Sequence, residues 1–238
     1  MQRRVSHLLA LATLALAAGS TNADVLWAGV GGGLNSTALF HASGSSLVVT
    51  LTNTSSADVV DPPGVLTAVF LNITGNTVTL TPQSAIVPAG SSVLFGPTGP
   101  NNSVGGEWAY KASPMTGFTQ GISSAGLGIF GPGDVFPGSG NLQGPADPDG
   151  IEYGITSAGD DPTTGNAAVT GANALIKNAM VFTLSGLPTN FDLTRINAVR
   201  LQYGTDLTEP HLDATVPAPG AAMISAAGAM FGHRRRRR

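Results

Sequence analysis

The feature that most constrains this chain's fold is the recurrence of apolar side chains at every second position in short runs. The clearest runs cover residues 47–53, 65–73, 77–81, 180–184 and 198–203. Because successive side chains of a strand point to opposite faces, this period favours strands that bury one face. Turn sequences such as Asp61-Pro62-Pro63-Gly64 and Thr74-Gly75-Asn76 separate the runs. The sequence therefore predicts an all-β domain.

Local patterns predict how these strands are arranged. Runs 65–73 and 77–81 are expected to form a hairpin, and 85–87 and 91–95 flank a turn at Pro88-Ala89-Gly90. Residues 107–111 form a strand on which Trp108 and Tyr110 share a face. A short helix over 191–197 is predicted, capped by 187–190.

Two long stretches, 131–150 and 159–176, lack strand patterns, and loops of this length are usually functional or mobile. Residues 121–126 are echoed at 154–159, which predicts equivalent strands, with neighbouring positions in one sheet as one arrangement. The expected fold is an antiparallel β-sandwich, jelly-roll-like, with long Gly/Pro/Asp-rich loops at one end. The 32 glycines, 16 prolines and 11% charged residues fit this fold. The absence of cysteine excludes disulfides, thiol enzymes and Cys-ligated metals.

The N-terminus has the pattern of a secretory signal peptide. Arg3 and Arg4 precede an apolar stretch over 5–18, and Ala23 offers a small residue for signal peptidase. Residues 1–23 are therefore expected to be removed after Ala23, with Ala18 as the second choice of cleavage site. An uncleaved anchor is the alternative, although the segment is short of the ~20 apolar residues of a membrane span.

The C-terminus, residues 214–238, has the pattern of a second targeting segment. Val216, Pro217, Ala218 and Pro219 precede a small and apolar run over 220–232, which is expected to enter the inner membrane transiently as a short helix. A positive stop follows, formed by Arg234, Arg235, Arg236, Arg237 and Arg238. Positive charge beside a membrane segment stays on the cytoplasmic side and sets its orientation.

Residues 24–213 are expected to form one domain, and this body is strongly acidic. Of 11 basic residues, two precede residue 24 and five end the chain, which leaves four against 14 acidic residues and a net charge of −10. An anionic body repels nucleic acid and anionic lipid, so both are excluded as partners.

Candidate chemical sites are few. Asp147, Asp149, Asp160 and Asp161 lie in the acidic loops and are weak candidates for a Ca²⁺ site, although their spacing matches no EF-hand and solvated turns explain them better. His41 and His211 show no metal-ligand spacing. No cofactor is otherwise indicated.

Enzymatic and carbohydrate-binding interpretations are weaker still. No Gly-x-Ser-x-Gly elbow occurs, and a glycosidase carboxylate pair would have to come from Glu107, Glu152 and Glu209. A sugar-stacking platform would need exposed aromatic residues, whereas such residues more often anchor a core. Its candidates are Trp27, Trp108, Tyr110, Tyr153 and Tyr203. No active site is expected.

The C-terminal tail resembles the PEP-CTERM sorting signal of bacteria that make an exosortase. Pro217 and Pro219 match its two prolines, Ala218 stands where the motif has Glu, and the apolar run is shorter than a full span. The body is similar to the XDD-four group of exosortase-dependent surface proteins over about 47–210. The stretches that carry this resemblance are Gly105-Gly106-Glu107-Trp108-Ala109-Tyr110-Lys111, Gly128-Ile129-Phe130-Gly131-Pro132-Gly133-Asp134, Asn141-Leu142-Gln143-Gly144-Pro145, Tyr153-Gly154-Ile155-Thr156-Ser157-Ala158-Gly159-Asp160 and Gln202-Tyr203-Gly204-Thr205.

The resemblance implies export, recognition by exosortase, processing at the Pro motif, and display at the cell surface or release into an extracellular matrix. It supplies no catalytic residue and no ligand. The expected role is structural or adhesive, and a Ca²⁺-assisted module that binds extracellular polysaccharide is the alternative.

Overall fold

The computed structural model describes residues 23–217. The predicted signal helix and C-terminal apolar helix, together with Ala218, Pro219 and the arginine cluster, lie outside the described residues. Within the described part, no helix combines the length and the apolar character needed to cross a bilayer.

Two sheets make up the domain. Sheet A contains, in spatial order, β1 (Val25–Gly31), β2 (Leu34–Ser43), β3 (Ser46–Asn53), β11 (Ala179–Ser185) and β5 (Thr81–Ile86). Sheet B contains, in spatial order, β13 (His211–Asp213), β12 (Ile196–Tyr203), β4 (Leu66–Ile73), β9 (Ile155–Thr156), β10 (Leu175–Lys177) and β6 (Ser92–Leu94), while β8 (Phe118–Ser123) joins β4 to β7 (Ala109–Met115). All pairings are antiparallel except the parallel β9–β10 pair. The predicted all-β sandwich is confirmed.

Short helical turns occupy some of the connections. One-turn 3-10 helices lie at Pro62–Gly64, Pro100–Asn102, Gly105–Glu107, Pro132–Asp134 and Leu193–Arg195, and a π-helical turn lies at Ala168–Ala172.

The main core lies between the two sheets. Sheet A contributes the inward side chains of β2, β3 and β11, and Phe40, Leu51 and Phe182 are fully buried there. Sheet B contributes Leu201 and Tyr203 from β12, as well as residues of β4. Two aromatic side chains from the long connections complete this core: the Trp108 ring centroid lies 4.8 Å from that of Phe182, and Phe136 lies 5.5 Å from Phe182.

β4 differs from the other long strands because both of its faces are covered. Its inward residues join the main core, while Ala68 and Phe70 pack on the outer side against Ala125, Leu127 and Phe130. A strand buried on both faces has no solvent-facing side, which explains why the sequence of β4 is apolar apart from Thr67 and Asn72.

The sequence echo has a simple geometric meaning. β12 occupies one edge of β4, and the other edge is shared by β8, where Ile122 faces Val69, and β9, where Ile155 faces Leu66. The strands that contain the two echoed segments therefore follow one another along the same edge, with residues 124–154 between β8 and β9. The prediction that they lie in one sheet is confirmed, although they are consecutive rather than side by side.

Two local predictions are wrong. Residues 77–80 alternate between exposed and buried as expected, but they do not pair with another strand. The strand that follows them, β5, pairs with β11 in sheet A rather than with β4 in sheet B. The 65–73 strand therefore has no hairpin partner there, because β8 and β9 take that edge. The helix expected over 191–197 is reduced to Leu193–Arg195, since β12 begins at Ile196.

The two ends of the domain are joined at the edge of the sandwich. Ala28 of β1 and Thr215 exchange both backbone hydrogen bonds at 2.9 Å, in antiparallel orientation. Because antiparallel segments run in opposite directions, the chain leaving Thr215 heads toward the end from which β1 starts. Ala23 and Val216 are both exposed at that end.

Candidate functional site

Three of the five stretches named above, 105–111, 141–145 and 153–160, meet around Glu107. This residue ends the helical turn Gly105–Glu107 and is only 4% exposed. Its Oε1 accepts hydrogen bonds from the backbone N–H groups of Leu142 and Gln143, the latter at 3.1 Å. A buried carboxylate is thus used to fasten the long 131–150 loop to the body.

Gln143 extends this fastening to a second loop. Its Oε1 accepts a hydrogen bond from the N–H of Ala174 at 2.7 Å, and its Nε2 donates to the carbonyl of Ala172 at 3.4 Å. The N–H of Tyr153 donates to the carbonyl of Ala174 at 2.7 Å. The two long loops are therefore joined to each other and to Glu107 by one hydrogen-bond network.

The two glycines before Glu107 allow the 131–150 loop to lie directly against their own backbone. A Cβ at Gly105 would stand 2.2 Å from the carbonyl oxygen of Pro137, and one at Gly106 would stand 2.2 Å from that of Gly140. Only glycine leaves room for a backbone contact this close.

Glu152 is the second acidic member of the site. Its Oε2 is buried and has no hydrogen-bond partner within residues 23–217. Burial, followed by the negative charges of Glu107 and Asp149, raises the pKa of Glu152 to about 7. Burial also raises the pKa of Glu107, against the lowering effect of its two backbone hydrogen bonds. The pair therefore favours a state that keeps one proton near neutral pH.

Tyr153 lies beside this pair in a strained conformation. It is fully buried, and its φ of 52° is left-handed, which is rare for a residue with a bulky side chain. Its hydroxyl donates to the carbonyl of Pro97 at 2.9 Å, and burial with the charges of Glu107 and Glu152 raises its pKa. Surrounding contacts hold this strain in place.

The three glutamates considered for glycoside hydrolysis do not form one cleft. Glu107 and Glu152 lie within electrostatic range of each other, but Glu209 accepts hydrogen bonds from Thr205 and Asp206 in the turn before β13. A groove of about 260 Å³ lies between the 75–79 segment and β7, and none of the three glutamates lines it. Trp108 and Tyr153, the aromatic neighbours of Glu107 and Glu152, face the core and are 0% exposed.

The wider aromatic set is also buried, so it cannot serve as a sugar-stacking platform. Every member is at most 8% exposed: Trp27, Trp108, Tyr110, Tyr153 and Tyr203. Their core-anchoring interpretation is confirmed.

The acidic loop residues are dispersed among local turns. Asp160 is buried, and its Oδ1 accepts from the N–H of Val59 at 2.8 Å. The Oδ1 of Asp161 accepts from the N–H of Thr163 at 3.0 Å, and that of Asp149 accepts from Gly150 at 2.8 Å. Asp147 is exposed. Among residues 23–217, no three acidic or histidine side chains come together as a metal-binding group.

The two histidines of the body lie on different sheets. His41 of β2 contacts Asp24 with Nδ1 to Oδ1 at 2.6 Å, on the exterior of the molecule. His211 is exposed on β13. The structure does not bring them together.

Gln143 is the member of the site that sequence reasoning missed. An uncharged amide in a glycine-rich loop has no pattern that distinguishes it, and its partners are backbone groups of distant residues. The resemblance gave the only signal, since the stretch 141–145 is among those that carry it.

Comparison with known proteins gives no match: no family model, no curated protein and no solved structure resembles this chain significantly.

Proposed function

We propose that this chain is an exported structural or adhesive protein of the cell surface or extracellular matrix. Signal peptidase removes the N-terminal segment, the apolar C-terminal segment holds the protein in the inner membrane transiently, and exosortase processes it at Val216, Pro217, Ala218 and Pro219. The body that is delivered, residues 24–213, is not catalytic.

The observation that carries this proposal is that the chemically distinctive side chains serve the fold. Glu107 fastens a loop, the aromatic set anchors the core, and Asp160 and Asp161 stabilise turns. Such a body is suited to bear mechanical or adhesive contacts rather than to bind a small substrate in a pocket.

The position of the chain ends supports the processing scheme. The bridge between Ala28 and Thr215 brings Ala23 and Val216, which border the two predicted cleavage positions, to one end of the sandwich. Val216, the first residue of the sorting motif, follows this bridge immediately and is 53% exposed. A protease at the membrane surface could reach it without unfolding the sheets.

Intact-mass measurement of the protein from cells with and without exosortase tests the proposal. In normal cells the mature protein is expected to begin at Asp24 and to lack the arginine cluster, whereas the cluster persists without exosortase. Joint replacement of Pro217 and Pro219 by Ala should mimic loss of exosortase, while Pro210→Ala, placed before β13, should be processed normally. Persistence of the arginines in normal cells would contradict the proposal.

A further inference from the structure

The distribution of charge over the sandwich is uneven. The five strands of sheet A contain no Asp, Glu, Lys or Arg, and their only ionisable side chain is that of His41. The body as a whole carries a net charge of −10, from 14 acidic and four basic residues. The charges are therefore concentrated in sheet B and the loops.

The outward side chains of sheet A form regular cross-strand rows of aliphatic and threonine residues. The central row runs across all five strands and consists of Leu26, Leu39, Thr50, Val181 and Ile86. The row on one side is Ala28, Thr37, Thr52 and Ala179, and the row on the other is His41, Val48, Thr183 and Ser84. We call these three rows the neutral face.

Among the described residues, the rows of the neutral face are open except at Ala179, which is 6% exposed, and at His41, which Asp24 contacts. The face's aliphatic residues Leu26, Leu39, Val48, Val181 and Ile86 are half-buried by their neighbours and belong to none of the three hydrophobic clusters. Val30 continues the apolar surface along β1 and is 79% exposed. A large apolar surface left open to solvent usually marks an interaction site.

The edges of sheet A are partly closed, which leaves the face as the surface for contact. Thr215 pairs with Ala28 on the β1 edge, and Ser103 pairs with Ile86 on the β5 edge. Addition of a further strand at these positions is blocked.

The size of the neutral face suits a modest protein interface. Five strands about 4.8 Å apart and three rows about 6.8 Å apart give roughly 24 Å × 20 Å. Two such faces would bury about 1,000 Å² together, which is about the smallest area expected of a specific interface.

We propose that the neutral face is a self-association surface, on which a second copy of this chain packs face to face. Two bodies that each carry −10 repel one another wherever acidic surfaces meet. The neutral face has no carboxylate of its own, and Asp24 at its margin is paired with His41, so close approach costs least there. Flat sheets pack face to face about 10 Å apart, and a two-fold axis makes the same face complementary to itself. The core of a protein interface is depleted of charged residues, and the neutral face meets that condition.

A single charge at the centre of the face tests this proposal. Thr50 lies in the middle row of β3, so Thr50→Glu would bury an unpaired carboxylate in the dimer. Sedimentation equilibrium of the full chain, in density-matched detergent, should show a dimer with a micromolar dissociation constant. We expect Thr50→Glu to raise that constant at least about tenfold. The matched control is Thr116→Glu, which adds the same charge on the exposed turn between β7 and β8 and should leave the constant unchanged.

Because all variants share the same termini, association through the apolar ends is equal in each. An effect of Thr50→Glu that is absent from Thr116→Glu supports the proposal. A monomeric wild type at 200 μM (about a hundred times a micromolar dissociation constant), or association that Thr50→Glu does not weaken, overturns it.

Cross-linking gives a second, independent test, since the chain has no cysteine of its own. Single cysteines at the central positions Leu39, Thr50 and Val181 should yield a covalent dimer on oxidation for at least one of the three, and Thr116→Cys should yield none. Failure of all three in a preparation that sediments as a dimer assigns the interface elsewhere. This result is independent of the sorting proposal, which depends on the mature mass alone.

Discussion

The outer faces of the two sheets differ in what covers them. On sheet B, residues 124–136 leave the edge of β4 and place Ala125, Leu127 and Phe130 over Phe70. On sheet A, the outward residues around Leu39 belong to none of the hydrophobic clusters formed by residues 23–217. The covered face carries loops and charged side chains such as Lys111 and Arg200, whereas the bare face carries uncharged cross-strand rows. The contrast suggests that one side of the sandwich stabilises the body and the other is left for a partner.

The largest expected difference between the faces is in stability. Phe70 is fully buried between Phe118, at 6.0 Å between ring centroids, and Phe130, at 6.2 Å. Phe70→Ala should cost about 3 to 5 kcal/mol of unfolding free energy, because it leaves a cavity. Leu39→Ala on the bare face should cost less than about 1 kcal/mol in the monomer, because less area is lost from a half-exposed site. Urea unfolding at low protein concentration measures both, and equal costs would remove the distinction between the faces.

The loop that covers Glu107 should contribute nearly as much to the unfolding free energy as Phe70 does. A Cβ at Gly106 would meet the carbonyl oxygen of Gly140 at 2.2 Å, so Gly106→Ala should displace the loop and cost about 3 kcal/mol. Gly133→Ala is the control, since a Cβ there meets nothing within 4 Å. Limited proteolysis should show new cleavage within 137–145 only in the Gly106 variant. If the loop stays protected, it is not held by this contact.

The proton on the Glu107–Glu152 pair should make stability depend on pH. The pKa of Glu152 is raised from 4.5 to about 7, so the folded state favours its protonated form. Stability from this group is complete below pH 4.5 and declines as pH rises toward 7. Glu152→Gln should remove the decline and stabilise the protein at pH 8 by about 1 to 2 kcal/mol after allowance for solvent screening. Denaturant unfolding at pH 5 and pH 8 measures this, and a destabilised variant at pH 8 would contradict the burial argument.

The smallest expected effect on stability comes from Asp213. Its pH dependence is opposite to that of Glu152, because its pKa is lowered rather than raised. The hydrogen bond from Arg200, 2.8 Å from Nε to Oδ1, lowers the pKa of Asp213. The stability it adds is present above pH 3.8 and is lost as pH falls through the lowered pKa. Asp213→Asn should therefore cost about 0.5 kcal/mol at pH 7 and almost nothing near pH 2. Unfolding curves at the two pH values check this, and a cost that persists at pH 2 would mean that packing is responsible.

Sequence patterns predicted the strands with strong contrast between their two sides, and missed those with weak contrast. β3, β11 and β12 were predicted because large apolar residues alternate with polar ones. β1 and β2 were not, because Gly29, Ser36 and Ala38 share the inward positions with Trp27 and Phe40, while Leu26 and Leu39 point outward. The outward apolar residues of the neutral face therefore obscured the alternation in the sequences of β1 and β2, two of the strands that form this face.

Pairing across the chain could not be predicted from local patterns. The expected hairpin after β4 fails because β4 is covered on both faces and its edge is taken by β8 and β9. The candidate site shows the same limit. Glu107 and Glu152 were candidates for a carboxylate pair, but only the folded loops reveal that their charges interact and that Gln143 joins Glu107 to the second loop.

Oxidative footprinting of the exported protein tests the central claim, that a stable body presents a bare face to a partner, most directly. Side chains would be labelled on intact cells and in dilute purified protein, and compared at Leu26, Leu39, Val181 and Ile86. The account predicts that these four are labelled in the dilute protein and protected on cells, while Val60, an exposed residue outside sheet A, is labelled equally in both. Equal labelling of the four on cells and in dilute solution would contradict it.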